Sequence, residues 1–216
     1  MSQARWVWCA ALTGFASAFT FSSWLHWPRD WFVLGYTVAV GLLLIAFVRG
    51  TGFRPVLQLQ RRWPAGVLGG LAFGAILARG VASQPPSARA EGPAIVQALL
   101  WLGIVYGGAD ALLLSVVPVA VVYGTRGIEE MRDSRARMRW AGVALLASLG
   151  VAAAYHLGFA EFRGPSLAGP LIGNGIITLS YLLTGSPVAP ILAHVIMHAA
   201  AVFHGMETTA QLPPHY

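Results

Sequence analysis

Four ionisable side chains stand where a chain this apolar has least use for them. Of the eight acidic residues, seven fall in loops, at the ends of apolar stretches or in the C-terminal tail, and only Asp110 lies deep inside an apolar stretch. A carboxylate at mid-bilayer costs about 3 kcal/mol even on a lenient insertion scale, so Asp110 must be protonated, paired or bound to a metal. His156 falls in the outer half of another apolar stretch, and His194 and His198 are central to a third. His194 and His198 are four residues apart, which on a helix stacks both imidazoles on one face. Alone, such a pair in an apolar helix is more often two hydrogen-bonded histidines than a metal site. With Asp110 and His156 added, nitrogen and oxygen donors on three helices can surround a divalent ion, zinc being the natural candidate, with three protein bonds and one open position.

An open position would carry the chemistry, because metal-bound water has its pKa lowered to about 7 and becomes a usable nucleophile. Hydrolysis also needs a general base. If Asp110 takes that role, His156, His194 and His198 hold the metal. If Asp110 is itself a ligand, the base is missing or is Glu161, five residues after His156. Asn174, polar within an apolar stretch, could hydrogen-bond a ligating histidine from behind or simply bridge two helices. Two histidines on different helices could also clamp a heme, so a bis-histidine heme or metal-binding membrane protein is an alternative.

These residues must be positioned by membrane helices. Hydrophobic residues make up 56% of the 216, charged residues only 10%, and apolar runs of eighteen or more recur along the chain. In lipid only helices or a closed barrel satisfy every backbone N–H and C=O, and uninterrupted rather than alternating runs select helices. The expected fold is an all-α, polytopic integral membrane bundle, one domain over 1–216, with spans at 6–25, 31–48, 64–80, 94–122, 140–158, 166–184 and 187–204. The segment 6–25 is too long for a signal-peptide core and is expected as a span. At 29 residues, 94–122 exceeds what a hydrocarbon core of about 30 Å needs, so it should tilt, protrude or break, with Gly107, Gly108 and Pro118 as break points. Gly173, Gly175 and Ser180 are expected to let helices pack closely.

The net charge of +6 is carried entirely by arginine. Arg49, Arg54, Arg61 and Arg62 lie in one loop, and Arg126, Arg132, Arg135, Arg137 and Arg139 in another. Both loops, and the N-terminus with Arg5, should be cytoplasmic in the cell membrane, and the tail outside. This pattern reports orientation against lipid, not nucleic-acid binding. Trp24, Trp27, Trp31, Trp63 and Trp140 at span ends are expected interfacial anchors. Glu129 and Glu130, in "IEEMRDSR", belong to an Arg-rich solvated turn and stay outside the site; His204, Glu207 and His215 are expected near the outer face. Cys9 is the only cysteine, so an intramolecular disulfide is excluded. Neither a phosphate-binding loop nor a heme-attachment cysteine motif occurs.

The stretch "YLLTGSPVAPILAHVIMHAAAV", preceded by "AAAYHLGF", resembles the CPBP family of CAAX-prenyl-protease and bacteriocin-processing intramembrane metalloproteases. The resemblance covers roughly residues 100 to 204 and implies a core of about 94 to 204. The family carries EExxxR, FxxxH and HxxxN or HxxxD motifs on successive helices. His156 matches the FxxxH histidine, His194 opens the last motif, and His198 stands at its asparagine position. Ala109 and Asp110 occupy the glutamate pair, Leu114 the arginine and Ala152 the phenylalanine. The resemblance implies a metal-dependent endopeptidase acting on a membrane-associated or lipid-modified polypeptide, or, with the glutamate pair lost, a non-catalytic scaffold or chaperone of the same fold.

Overall fold

A computed structural model describes residues 3–124, 133–205 and 211–213. Arg126, Glu129, Glu130, Arg132, Glu207 and His215 lie outside the described residues. The chain is all-helical, with no strand among the described residues. Helix α1 (Gln3–Ser17) continues as a π-helical stretch, Ala18–Trp24. Then follow α2 (Arg29–Thr51), a short α3 (Pro55–Gln60), α4 (Trp63–Ala82) and the long composite α5 (Pro93–Tyr123). After two 3-10 turns (Ala160–Phe162 and Pro165–Leu167) that follow α6 (Ser134–Leu157), α7 (Ala168–Thr184) and α8 (Val188–His204) complete the bundle.

Five of these segments are long and apolar enough to cross a membrane: Arg29–Thr51, Trp63–Ala82, Pro93–Tyr123, Ser134–Leu157 and Pro165–Thr184. Helix α8 is apolar but shorter, at 17 residues. Leu12, Leu42, Leu68, Ile76, Leu146 and Leu183 all project outward. Such a surface would aggregate in water and is what lipid solvates. Trp24, Trp31, Trp63 and Trp140 are exposed as well, whereas Trp27 lies half-buried, stacked on Phe21 with ring centroids 4.5 Å apart. Most expected boundaries fall within three residues of the helix ends; α6 starts six residues earlier than 140, because the Asp133 carboxylate accepts a hydrogen bond from the Arg135 N–H and caps it.

The over-long segment does not break. Helix α5 runs through Gly107, Gly108 and Pro118, and is widened instead by π-helical stretches at Leu99–Tyr106 and Ala111–Val116 on either side of Gly107–Asp110. Its i→i+5 bonding puts more residues into each turn and shortens the rod. Pro118, lacking an N–H, sits where the second π stretch hands over to the last α-helical turns. Helix α5 is also the axis of the bundle, with 78% of its apolar window buried against 28–33% for the other four long segments.

Close packing falls on α4 rather than α7. Gly66, Gly70 and Gly74 form a seam at four-residue spacing against α8: a Cβ at Gly70 would stand 2.7 Å from the Leu192 Cβ and 3.1 Å from the Ala189 carbonyl oxygen, and one at Gly74 2.8 Å from Ile196. By contrast, a Cβ at Gly173 meets nothing and one at Gly175 makes ordinary contact with Leu149, while the Ser180 hydroxyl donates to the Ile177 carbonyl of its own helix. The expectation for Gly173 and Gly175 is thus corrected: their missing side chains are not what admits a neighbouring helix. Gly70→Val should destabilise the detergent-solubilised protein by about 1–3 kcal/mol. Gly80→Ala, which faces open space, should leave the melting temperature unchanged or slightly raised.

Candidate metal centre

Glycine at 107 is what lets a side chain as short as aspartate reach α8. A Cβ there would come within 3.0 Å of the His198 ring and 3.3 Å of the Val195 Cα, so the two backbones meet almost directly. One turn on, Asp110 points at the pair of histidines. Oδ2 of Asp110 lies 3.4 Å from Nε2 of His198. His194 and His198 stack one turn apart, with ring centroids 5.9 Å apart and planes 11° from parallel. One donor atom from each of Asp110, His194 and His198 lies within 4.8 Å of the others, and all three residues are buried. Four-coordinate zinc with bonds of about 2.0–2.2 Å sets its donors about 3.4 Å apart. The Asp110–His198 spacing already matches, and a donor atom of His194 lies within 4.8 Å of both.

The protein leaves these donors unused. Nδ1 of His194 and Nδ1 of His198 are buried without a hydrogen bond, and Nε2 of His198 has only the Asp110 carboxylate beside it, at 3.4 Å. Buried polar atoms are nearly always paired, so unsatisfied nitrogens on two adjacent imidazoles mark a place for a ligand. The residues present therefore fit a divalent ion.

Three tyrosines surround the cluster, each fully or almost fully buried. The Tyr36 hydroxyl donates to Oδ1 of Asp110 at 2.7 Å. Tyr106 and Tyr155 share a hydrogen bond between their hydroxyls at 2.7 Å, and the Tyr106 ring packs edge-on to His198. Sequence reasoning missed all three, although a signal was present. Tyrosine belongs at membrane interfaces, and one deep in an apolar segment needs a partner for its hydroxyl.

A cavity of about 200 Å³ opens over the cluster, lined among others by Asp110, His194, His198, Tyr106, Tyr155 and His156. His156 faces this cavity but is not in the group whose donor atoms converge. Its Nδ1 lies 2.8 Å from the Ala152 carbonyl oxygen, which can only accept, so Nδ1 carries the hydrogen and Nε2 keeps a lone pair. At the mouth of the cavity, Gln84 donates to Gln211, Leu212 is buried, and Arg29 Nε donates to the Pro213 carbonyl at 2.8 Å.

The two supporting residues expected from sequence lie elsewhere. Glu161 is exposed in the 3-10 turn after α6 and does not line the cavity, although its neighbours Phe159 and Phe162 do. Asn174 touches the cavity, but its amide is engaged with hydroxyls rather than a histidine: Nδ2 donates to Ser148 at 2.9 Å and Oδ1 accepts from Ser115 at 3.3 Å. Ser148 in turn donates to the Leu114 carbonyl, and Thr178 lies 2.7 Å from Ser148 and 3.0 Å from Ser115. This network ties α5, α6 and α7 together behind the cluster.

No protein-family model matches the chain, and comparison with curated proteins and with solved structures gives no match. If the hydroxyl network is purely a fastener, Thr178→Val should lower stability by about 1 kcal/mol, as a buried interhelical hydrogen bond does. Metal content of the purified variant should equal that of the parent; loss of metal would show that the network also sets the ligands.

Proposed function

We propose that this chain is a seven-span integral membrane protein and a metal-dependent endopeptidase, cleaving a peptide bond of a membrane-associated or lipid-modified polypeptide. The observation that carries the reading is the convergence of three buried donors, Asp110, His194 and His198, with unpartnered ring nitrogens, on the wall of one cavity. Three protein ligands beside open space are the donor set of catalytic rather than structural zinc. Two imidazoles and a carboxylate also suit iron, manganese or cobalt, and zinc is the ion we propose.

When bound, the ion would polarise the scissile carbonyl and a water molecule. Every other function falls to the chain's own residues. Asp110, His194 and His198 hold and orient. His156, with Nδ1 fixed on the Ala152 carbonyl, presents Nε2 to the cavity, accepts the proton of the attacking water and returns it to the leaving amine. The Tyr106 and Tyr155 hydroxyls lie on the cavity wall, where one can donate to the carbonyl oxygen as negative charge develops. The resemblance to the CPBP family supports His156 and His194 as members of the site, though it implies His156 as a metal ligand; the role of base given to His156 rests on its place on the cavity wall. Ala109 and Leu114, both buried where that family carries glutamate and arginine, favour the second reading, a metal-binding scaffold that does not cleave.

Helix packing supports the orientation. Trp6 lies where a side chain at Gly50 would be, and Arg62 beside Gly185, so the N-terminus, the Arg49–Arg62 segment and the α7–α8 turn share one end. The cavity mouth is at the other, where Ser23 donates to the Gly158 carbonyl and His204 to the Gln84 carbonyl. We place the arginine-rich end in the cytoplasm and the mouth on the opposite face. In a Cys9→Ser background, a membrane-impermeant maleimide applied to intact cells should label Ala88→Cys and spare Gln60→Cys until the cells are opened. The reverse pattern would invert the topology.

Metal analysis by plasma mass spectrometry is the primary test. The purified parent should hold close to one zinc per chain, and the His194→Ala/His198→Ala variant under a tenth of that. Zinc in neither would remove the enzyme reading. Zinc in the parent, with no cleavage of reconstituted membrane-peptide libraries, would select the scaffold.

A further inference from the structure

Tyr36 is the one tyrosine of the three that touches the cluster without lining the cavity. It comes from α2, is wholly buried, and approaches Asp110 from behind. Its ring is clamped on several sides: stacked on Tyr155 with centroids 5.1 Å apart, edge-on to Tyr106 at 5.8 Å, and against Phe32 one turn earlier at 5.8 Å. A ring so held has one place to put its hydroxyl, and that place is 2.7 Å from Oδ1 of Asp110. The other carboxylate oxygen, Oδ2, is the one beside His198.

We infer that Tyr36 is a positioning residue for the metal centre, engaging one oxygen of Asp110 so that the carboxylate offers only Oδ2 to the ion. The inference rests on the metal-binding reading above and deepens it. A free carboxylate in this position has two competing oxygens and can turn about its Cβ–Cγ bond, so it would chelate through both, or swing away. The phenol removes both freedoms. It also supplies a hydrogen bond to an anion within lipid, where water cannot. Tyr36 touches neither the ion nor anything in the cavity; it acts through Asp110. Outer partners of this kind typically contribute 10–100-fold to metal affinity.

Tyr36→Phe retains the clamped ring and deletes only the hydroxyl. Metal affinity is read by competition against a chromophoric chelator, first with zinc and then with cobalt, whose visible absorption reports ligand geometry. Tyr36→Phe should bind zinc 10–100-fold more weakly than the parent and shift the cobalt bands, whereas the lost hydrogen bond by itself would lower the melting temperature of the metal-free protein and leave the cobalt bands in place. Tyr123→Phe, which removes another buried hydroxyl that has no partner, should change neither. In an Asp110→Ala background the Tyr36→Phe change should have no further effect, because the residue it acts through is gone. If the parent binds metal and Tyr36→Phe matches it in affinity and cobalt spectrum, the positioning role is overturned and the metal site stands. If the parent binds neither zinc nor cobalt, both fall together.

Discussion

One carboxylate in an apolar bundle constrains everything around it. Asp110 is buried inside the bundle, so the protein must provide most of what bulk water would. It does so from three sides: a phenol from α2, an imidazole from α8, and a backbone on α5 pared to glycine at 107 so that the approach is short enough. Each contact constrains a helix. Helix α2 must present Tyr36 at depth, α8 must lie close against α5, and the glycine seam of α4 then holds α8 from its far side. The arrangement is costly unless every partner is present, which is why the aromatic packing around it is so complete.

The fold was largely legible because long, uninterrupted apolar runs leave few choices. Apolar runs of span length could only be helices, and their limits follow from where arginine, proline and tryptophan interrupt them. The differences arise where a boundary depends on a specific bond. The Asp133 cap carries α6 further into polar sequence than hydropathy suggests, and α5 absorbs its excess length by widening its turns rather than by breaking at glycine. Composition reports neither effect. Nor did it distinguish glycines that admit a neighbouring helix, such as Gly70, from Gly173, which faces open space.

The site was legible in its charged and imidazole members and opaque in the rest. Asp110, His194 and His198 were conspicuous because ionisable groups are expensive in lipid, and they do converge. His156 shares their cavity without joining their group. The tyrosines went unseen because 74 residues separate Tyr36 from Asp110, and Tyr106 meets Tyr155 across 49. Such pairings exist only after α2, α5 and α6 have packed. Glu161 and Asn174 show the converse. Closeness in sequence to a histidine, or polarity alone, does not bring a side chain to the cluster when a turn or a nearer hydroxyl claims it.

The size of the cavity sets a condition on whatever enters it. An α-helix with its side chains is about 10–12 Å across, so even a single turn occupies several hundred cubic ångströms. A space of about 200 Å³ is short of that and holds only one or two residues of a guest chain. Any polypeptide reaching the histidines must already be frayed, or must unwind at the mouth between Gln84 and Leu212. Discrimination at such an entrance would fall on how readily a guest surrenders its own backbone hydrogen bonds, so that glycine, proline or a nearby helix end would matter more than side-chain identity.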